Sequence, residues 1–139
     1  MTQTVVVAVD WSPVSKRAVE FATEMARAMR ARVVLVHVQA SEGGPALPET
    51  PSGTPAAAGG VEKLAKEWAA QVRNSGVSDV RTVFLDGPPV DAILNYVESN
   101  PPDLLVFGRR GHSTGTRMLL GGITSSVLQH AQCPVLVVP

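Results

Sequence analysis

The sequence predicts an α/β fold: a single domain on an open, parallel, five-stranded sheet with helices on both faces. Three observations carry this. Short uncharged runs rich in β-branched residues alternate with segments whose apolar residues recur every three or four positions. Several of the short runs are apolar at every residue, as strands covered on both faces require. The 139 residues suit one domain, and the segments run in the order βαβαβαβαβ.

Thr4–Val9 is the first strand and ends at Asp10. Ser12-Pro13 then reads as a helix start, an N-cap oxygen followed by a proline at the first helical position. In residues 14–29, Val14, Ala18, Phe21, Ala22, Met25 and Met29 are expected to form one buried face. Arg32–Val38 is the second strand. Residues 41–60 hold four prolines and five glycines, which predicts a long flexible loop or lid. Val61, Leu64, Ala65, Trp68, Ala69 and Val72 mark the second helix, ended by Asn74-Ser75-Gly76.

Val80–Leu85 is the third strand. Gly87-Pro88-Pro89 turns into a helix with Val90, Ile93, Leu94 and Val97 on one face, and Asn100-Pro101-Pro102 stops it. Leu104–Phe107 is the fourth strand, Ile123–Ala131 the last helix and Pro134–Val138 the last strand. In open sheets of this kind ligands bind beyond the carboxyl ends of the strands, where the strand order reverses. The residues to watch are therefore Asp10 to Ser12, Val38 to Ser41, Asp86 to Pro88, and Gly108 onward.

Composition excludes several classes. Twelve Lys+Arg balance twelve Asp+Glu, so the globally basic surface of a nucleic-acid binder is missing. The single cysteine cannot form an internal disulfide. No secretory leader is evident, and no apolar run reaches the roughly 18 residues of a membrane span. The expectation is a cytoplasmic protein with neither membrane nor nucleic acid as partner. Past Asp103 the only charged side chains are Arg109, Arg110 and Arg117, all within a glycine-rich segment.

That segment, Gly108–Gly122, holds five glycines between a strand and a helix. Glycines there let backbone N–H groups approach phosphate oxygens with no Cβ in the way, and the helix N-terminus adds partial positive charge. A glycine-rich turn needed only for chain geometry is the alternative reading. Two other phosphate motifs are absent: no lysine follows Lys66, and Val9-Asp10-Trp11-Ser12 is not a Gly-x-Gly-x-x-Gly turn. His37, His112 and His130 have no metal-ligand spacing, so no metal-binding residue is assigned. Ser113, His112 and Asp10 lack the Gly-x-Ser-x-Gly elbow of a hydrolase, and no catalytic residue is assigned. Cys133, beside an apolar strand, reads as a structural thiol.

The glycine segment resembles the universal stress protein family, whose nucleotide-binding members carry Gly-x-x-Gly, nine residues, then Gly-Ser/Thr. Gly108 and Gly111 fit, residues 112–120 supply the nine, and Gly121 follows. The likeness extends to Val5–Ser12, to Leu35-Val36-His37-Val38, to Pro102–Gly108 and to His130-Ala131-Gln132-Cys133-Pro134-Val135-Leu136-Val137-Val138. It implies a Rossmann-like sheet of strand order 3-2-1-4-5 and ATP, accompanied by Mg2+, across the strand ends.

On that resemblance, the adenine and ribose would lie near Asp10 and Val38, and the phosphates would meet Gly108, Gly111 and Gly121 with the backbone of Gly122 and Ile123. Ala8, Ser12, Arg110, His112 and Thr124 complete the expected binding set. One position departs from the pattern: Gly122 stands where the family has Ser or Thr. A lost hydroxyl removes a hydrogen bond to a charged partner, worth about 1.5–3 kcal/mol, or roughly ten- to a hundred-fold in affinity. Thr124 or Ser125 would have to replace it.

The resemblance also implies a homodimer through the apolar terminal strand Val135–Val138, an edge that needs cover. The expected function is nucleotide-dependent stress response or signalling with at most slow hydrolysis. A dimeric scaffold that binds no ATP, a cyclic-nucleotide binder and an enzyme with ATPase or adenylate chemistry are the alternatives.

Overall fold

The computed structural model describes residues 2–39, 58–109 and 121–139. Its elements follow the predicted order: β1 (Thr4–Ala8), α1 (Pro13–Met29), β2 (Arg32–Gln39), α2 (Ala58–Asn74), β3 (Val80–Asp86), α3 (Pro89–Ser99), β4 (Leu104–Gly108), α4 (Gly122–His130) and β5 (Val135–Val138). All ladders are parallel, and the strands lie in the order β3-β2-β1-β4-β5. Most of the expected lid at 41–60 lies outside the described residues; its last three positions already belong to α2, which starts at Ala58.

Each strand feeds two cores, because successive side chains point to opposite faces. Val5, Val7, Val33, Leu35 and Val106 pack under α1 and α2 with Ala18, Ala22, Val61, Trp68 and Val72. Val6, Val34, Val36, Leu105 and Phe107 pack on the other face with Ile93, Val97 and Val127 from α3 and α4. Covering both faces explains why the strands read as continuous apolar runs rather than alternating ones.

The inner face of α1 differs from the one read in the sequence. Phe21 and Met25 are 45% and 39% exposed, whereas Ser15, Ala18, Val19, Ala22, Thr23 and Ala26 are buried. The helix sits so close to the sheet that small residues line the contact. A Cβ on Gly108 of β4 would come within 2.6 Å of Val14 Cγ1. The buried hydroxyls cost little because both are bonded: Thr23 Oγ1 donates to the Val19 carbonyl at 2.7 Å, and Ser15 Oγ accepts from the Asp10 N–H at 3.1 Å.

The helix starts follow the sequence signals. Ser12 Oγ accepts from the Ser15 N–H at 3.1 Å, with Pro13 opening the helix. Gly76, at φ +109°, turns the chain after α2, and Gly87, at φ +107°, turns it before α3. Among the described residues no helix is long and apolar enough to cross a membrane.

Candidate functional site

The strand order reverses between β1 and β4, and this is where the sequence-predicted residues gather. β1 pairs with β4 from Val5↔Leu104 to Val7↔Val106, so both strands end on the same side of the sheet. β1 contributes Ala8, half-buried at its end, and the Asp10–Ser12 turn. β4 contributes Gly108 and Arg109. Val38, half-buried on the neighbouring β2, packs into the core under α3. Arg110, Gly111 and His112 lie outside the described residues.

The first turn is tightly cross-bonded. Asp10 Oδ1 accepts from the Ser12 N–H at 3.0 Å, while the Asp10 N–H donates to Ser15 Oγ. Ser12 is buried, and its hydroxyl faces the first turn of α1 as the N-cap. Of the two, Asp10 is the less buried.

The second wall starts and ends at one point. Arg109 donates its N–H to the Val138 carbonyl at 2.6 Å and accepts from the Gly121 N–H at 2.7 Å. The chain therefore leaves β4 at Arg109 and returns beside it at Gly121 to begin α4. Gly121 is the N-cap and has no side chain to cap the helix. The leading N–H groups of a helix have no partner within it and carry its positive end; here they belong to Gly122, Ile123 and Thr124. Gly122 is exposed, and a Cβ on it would meet none of the described residues within 4 Å. Thr124 is buried, with Oγ1 3.0 Å from the Gly108 carbonyl. Its hydroxyl hydrogen is thereby engaged inside the protein, so it does not replace the hydroxyl missing at position 122.

Sequence reading assigned no binding role to two residues that lie beside Asp10 and Ser12, Trp11 and His37. Trp11, between Asp10 and Ser12, adopts φ +66°, and its indole is buried against Trp68 and His37. His37 donates from Nδ1 to the Val9 carbonyl at 2.9 Å and accepts the Trp11 Nε1–H at Nε2 across 3.4 Å. Burial holds the His37 pKa below its usual value, against opposing pulls from the Val9 hydrogen bond and the Asp10 charge. The available signal was the strand period, which puts His37 on the same face as Val33 and Leu35.

Cys133 is half-buried against the second core, and desolvation pushes its thiol up, which disfavours the reactive thiolate.

The family model described as the universal stress protein family matches residues 1–139. The chain belongs to the universal stress protein family. A family protein of Thermus aquaticus is 33% identical over 138 residues, covering 99% of both chains. One from Methanocaldococcus jannaschii is 36% identical over 78 residues, which span 56% of this chain and 41% of that protein. Among solved structures, a universal stress protein in complex with cAMP is 28% identical with a TM-score of 0.74, covering 99% of this chain and 96% of that one. A universal stress protein from Archaeoglobus fulgidus in complex with dAMP shares the fold at a TM-score of 0.73 and 21% identity, with 99% and 98% covered.

Proposed function

We propose that this universal stress protein binds an adenine nucleotide in the crevice between the ends of β1 and β4, with ATP and its Mg2+ as the physiological ligand. The observation that carries the reading is the N-terminus of α4, which has no side-chain cap among the described residues and is returned to the end of β4 by the Gly121–Arg109 hydrogen bond. Phosphate oxygens are the usual partners of such N–H groups. The rest of the donor set fits the group. Asp10 offers carboxylate oxygens to ribose hydroxyls or to the adenine amino group, and Ala8 and Val38 border the base. Mg2+ would enter with the phosphates, which together with water supply most of its ligands.

A cyclic adenine nucleotide is the second reading, favoured by two observations. The solved relative at 28% identity holds cAMP. Gly122 has no hydroxyl, and a single phosphate needs fewer contacts than a triphosphate. In either case the protein acts as a ligand-responsive module with at most slow hydrolysis, a reading supported by the absence of a hydrolase elbow in the sequence.

We further propose a homodimer through β5. β5 pairs with β4 on one side, and Val135, Leu136 and Val137 are only half-buried. Pro134 and Val138 direct their carbonyls to Leu105 and Arg109 of the β4 side. By the period of two, Val135 and Val137 direct their backbone groups to the open edge.

The test is a heteronuclear NMR titration of ligand-stripped protein with MgATP and, separately, with cAMP. The reading expects saturating shifts at Asp10, Val38, Gly108, Gly122 and Ile123, larger for MgATP. Larger and tighter shifts with cAMP would favour the second reading. Shifts elsewhere, or none, would contradict both.

A further inference from the structure

The turn that carries Asp10 is anchored to the sheet through one titratable ring. Trp11 lies between Asp10 and Ser12, and its backbone at φ +66° is in the left-handed region that L side chains seldom adopt. What holds it there is beneath the turn. The indole stacks edge-on to Trp68 of α2 with ring centroids 4.9 Å apart, and lies tilted against His37 of β2 at 5.1 Å. His37 in turn meets Phe84 of β3 edge-on at 6.2 Å.

The polar contacts of His37 assign its tautomer. The Val9 carbonyl only accepts, so the hydrogen is on Nδ1. The Trp11 indole only donates, so Nε2 must present its lone pair. A second proton on the ring would occupy Nε2 and set two donors against each other. The Trp11–His37 bond therefore exists only while the imidazole is neutral. Of the elements packed round the ring, α2 and β3 present Trp68 and Phe84, neither of them charged. The β1–α1 turn presents Asp10, whose charge favours the imidazolium, and burial opposes it more strongly.

We propose that His37 is a positioning residue for the nucleotide site: neutral and protonated on Nδ1, it holds Trp11 beneath the β1–α1 turn and so keeps Asp10 at the crevice, and protonating its ring releases that turn and weakens nucleotide binding. The binding half rests on the function proposed above; the anchoring half does not. The coupling is short. Asp10 and Ser12 flank Trp11 directly and bond to each other, so a displaced indole moves both ends of the Ser12–Asp10 hydrogen bond.

The experiment has a ligand-free arm and a ligand arm. In the ligand-free wild type, imidazole 15N shifts of His37 and amide shifts of Asp10, Trp11 and Ser12 are followed from neutral into acid, with His37→Gln as the control. A glutamine carbonyl can still accept the Trp11 N–H but does not titrate. The proposal expects an Nδ1-protonated ring at neutral pH and turn amides that move with the His37 midpoint. That transition should be absent from His37→Gln. An Nε2-protonated ring, or a His37 that titrates while the turn amides stay still, would overturn it.

In the ligand arm, MgATP affinity is measured over the same range. It should fall at least several-fold across the His37 midpoint in the wild type and stay level in His37→Gln. An unchanged wild-type affinity across that midpoint would overturn the coupling to binding. Absence of MgATP binding at every pH would contradict the proposed function instead, and the ligand-free arm would still decide the anchor.

Discussion

Thr124 Oγ1 lies 3.0 Å from the carbonyl oxygen of Gly108, which ties the first turn of α4 to the last residue of β4. The bond is part-buried and joins residues 16 apart in sequence. It fixes the helix end relative to the strand end, the geometry on which the proposed anion binding depends. Thr124→Val keeps the shape and removes the donor. It is expected to lose about 1–3 kcal/mol of stability, read as a lower urea midpoint with an unchanged m-value.

Gly108 has a packing reason to be glycine that is independent of any ligand. Its absent Cβ would lie 2.6 Å from Val14 Cγ1 and 3.4 Å from the Val14 backbone. Gly108→Ala should therefore cost about 1–3 kcal/mol through overpacking, with part recovered in the Val14→Ala, Gly108→Ala double variant. A double-mutant cycle by chemical denaturation measures the coupling, and strict additivity would contradict the contact.

Gly122 has the opposite situation, with no described residue within 4 Å of where a Cβ would go. Gly122→Ser should fold as well as the parent and restore a hydroxyl beside the α4 N-terminus. The expected outcome is MgATP affinity raised roughly ten- to a hundred-fold. Equal affinities would mean that the phosphates do not reach this position.

The depressed pKa of His37 makes stability depend on pH. The unfolded chain binds a proton on this ring at a higher pH than the folded protein does. The contribution is complete above the ordinary histidine value and is lost as pH falls from there through the lower folded value. Urea unfolding across that window should show stability declining toward acid in the wild type, with a shallower decline in His37→Gln. Parallel declines would contradict the assignment.

The open edge of β5 gives a prediction about assembly. Val137→Pro removes an outward-directed N–H and leaves the bonds to β4 in place. Sedimentation should find a dimer for the wild type and a weakened or lost dimer for the variant. Equal dimerisation would place the interface elsewhere.

The architecture was legible because two periods alternate cleanly. The runs at Val33–Val36 and Leu104–Phe107 read as strands covered on both sides, and Ser12-Pro13 announced α1. The inner face of α1 was not legible. Phe21 and Met25 look like core residues by type, but close approach to the sheet at Gly108 favours Ala18, Ala22 and Ala26. Burial of Ser15 and Thr23 depends on hydrogen-bond partners that appear only once the helix forms.

The position of Asp10, Gly108 and Gly121 at element ends was legible, since backbone approach and strand-end position leave a mark in residue type. The inward use of Thr124 and the Trp11–His37 anchor were hidden. Both join residues far apart in sequence, and neither residue type signals its partner.

The central claim is that a nucleotide's phosphates sit against the N-terminus of α4. Calorimetric titration of ligand-stripped wild type and Gly122→Asp with MgATP, at one fixed salt concentration, tests it most directly. An aspartate there meets none of the described residues at its Cβ, suits the positive end of a helix, and would repel phosphate. The account predicts saturable binding by the wild type in the micromolar range and affinity reduced at least tenfold in a variant that folds as stably as its parent. Equal binding by the two proteins, or no saturation by the wild type, would contradict it.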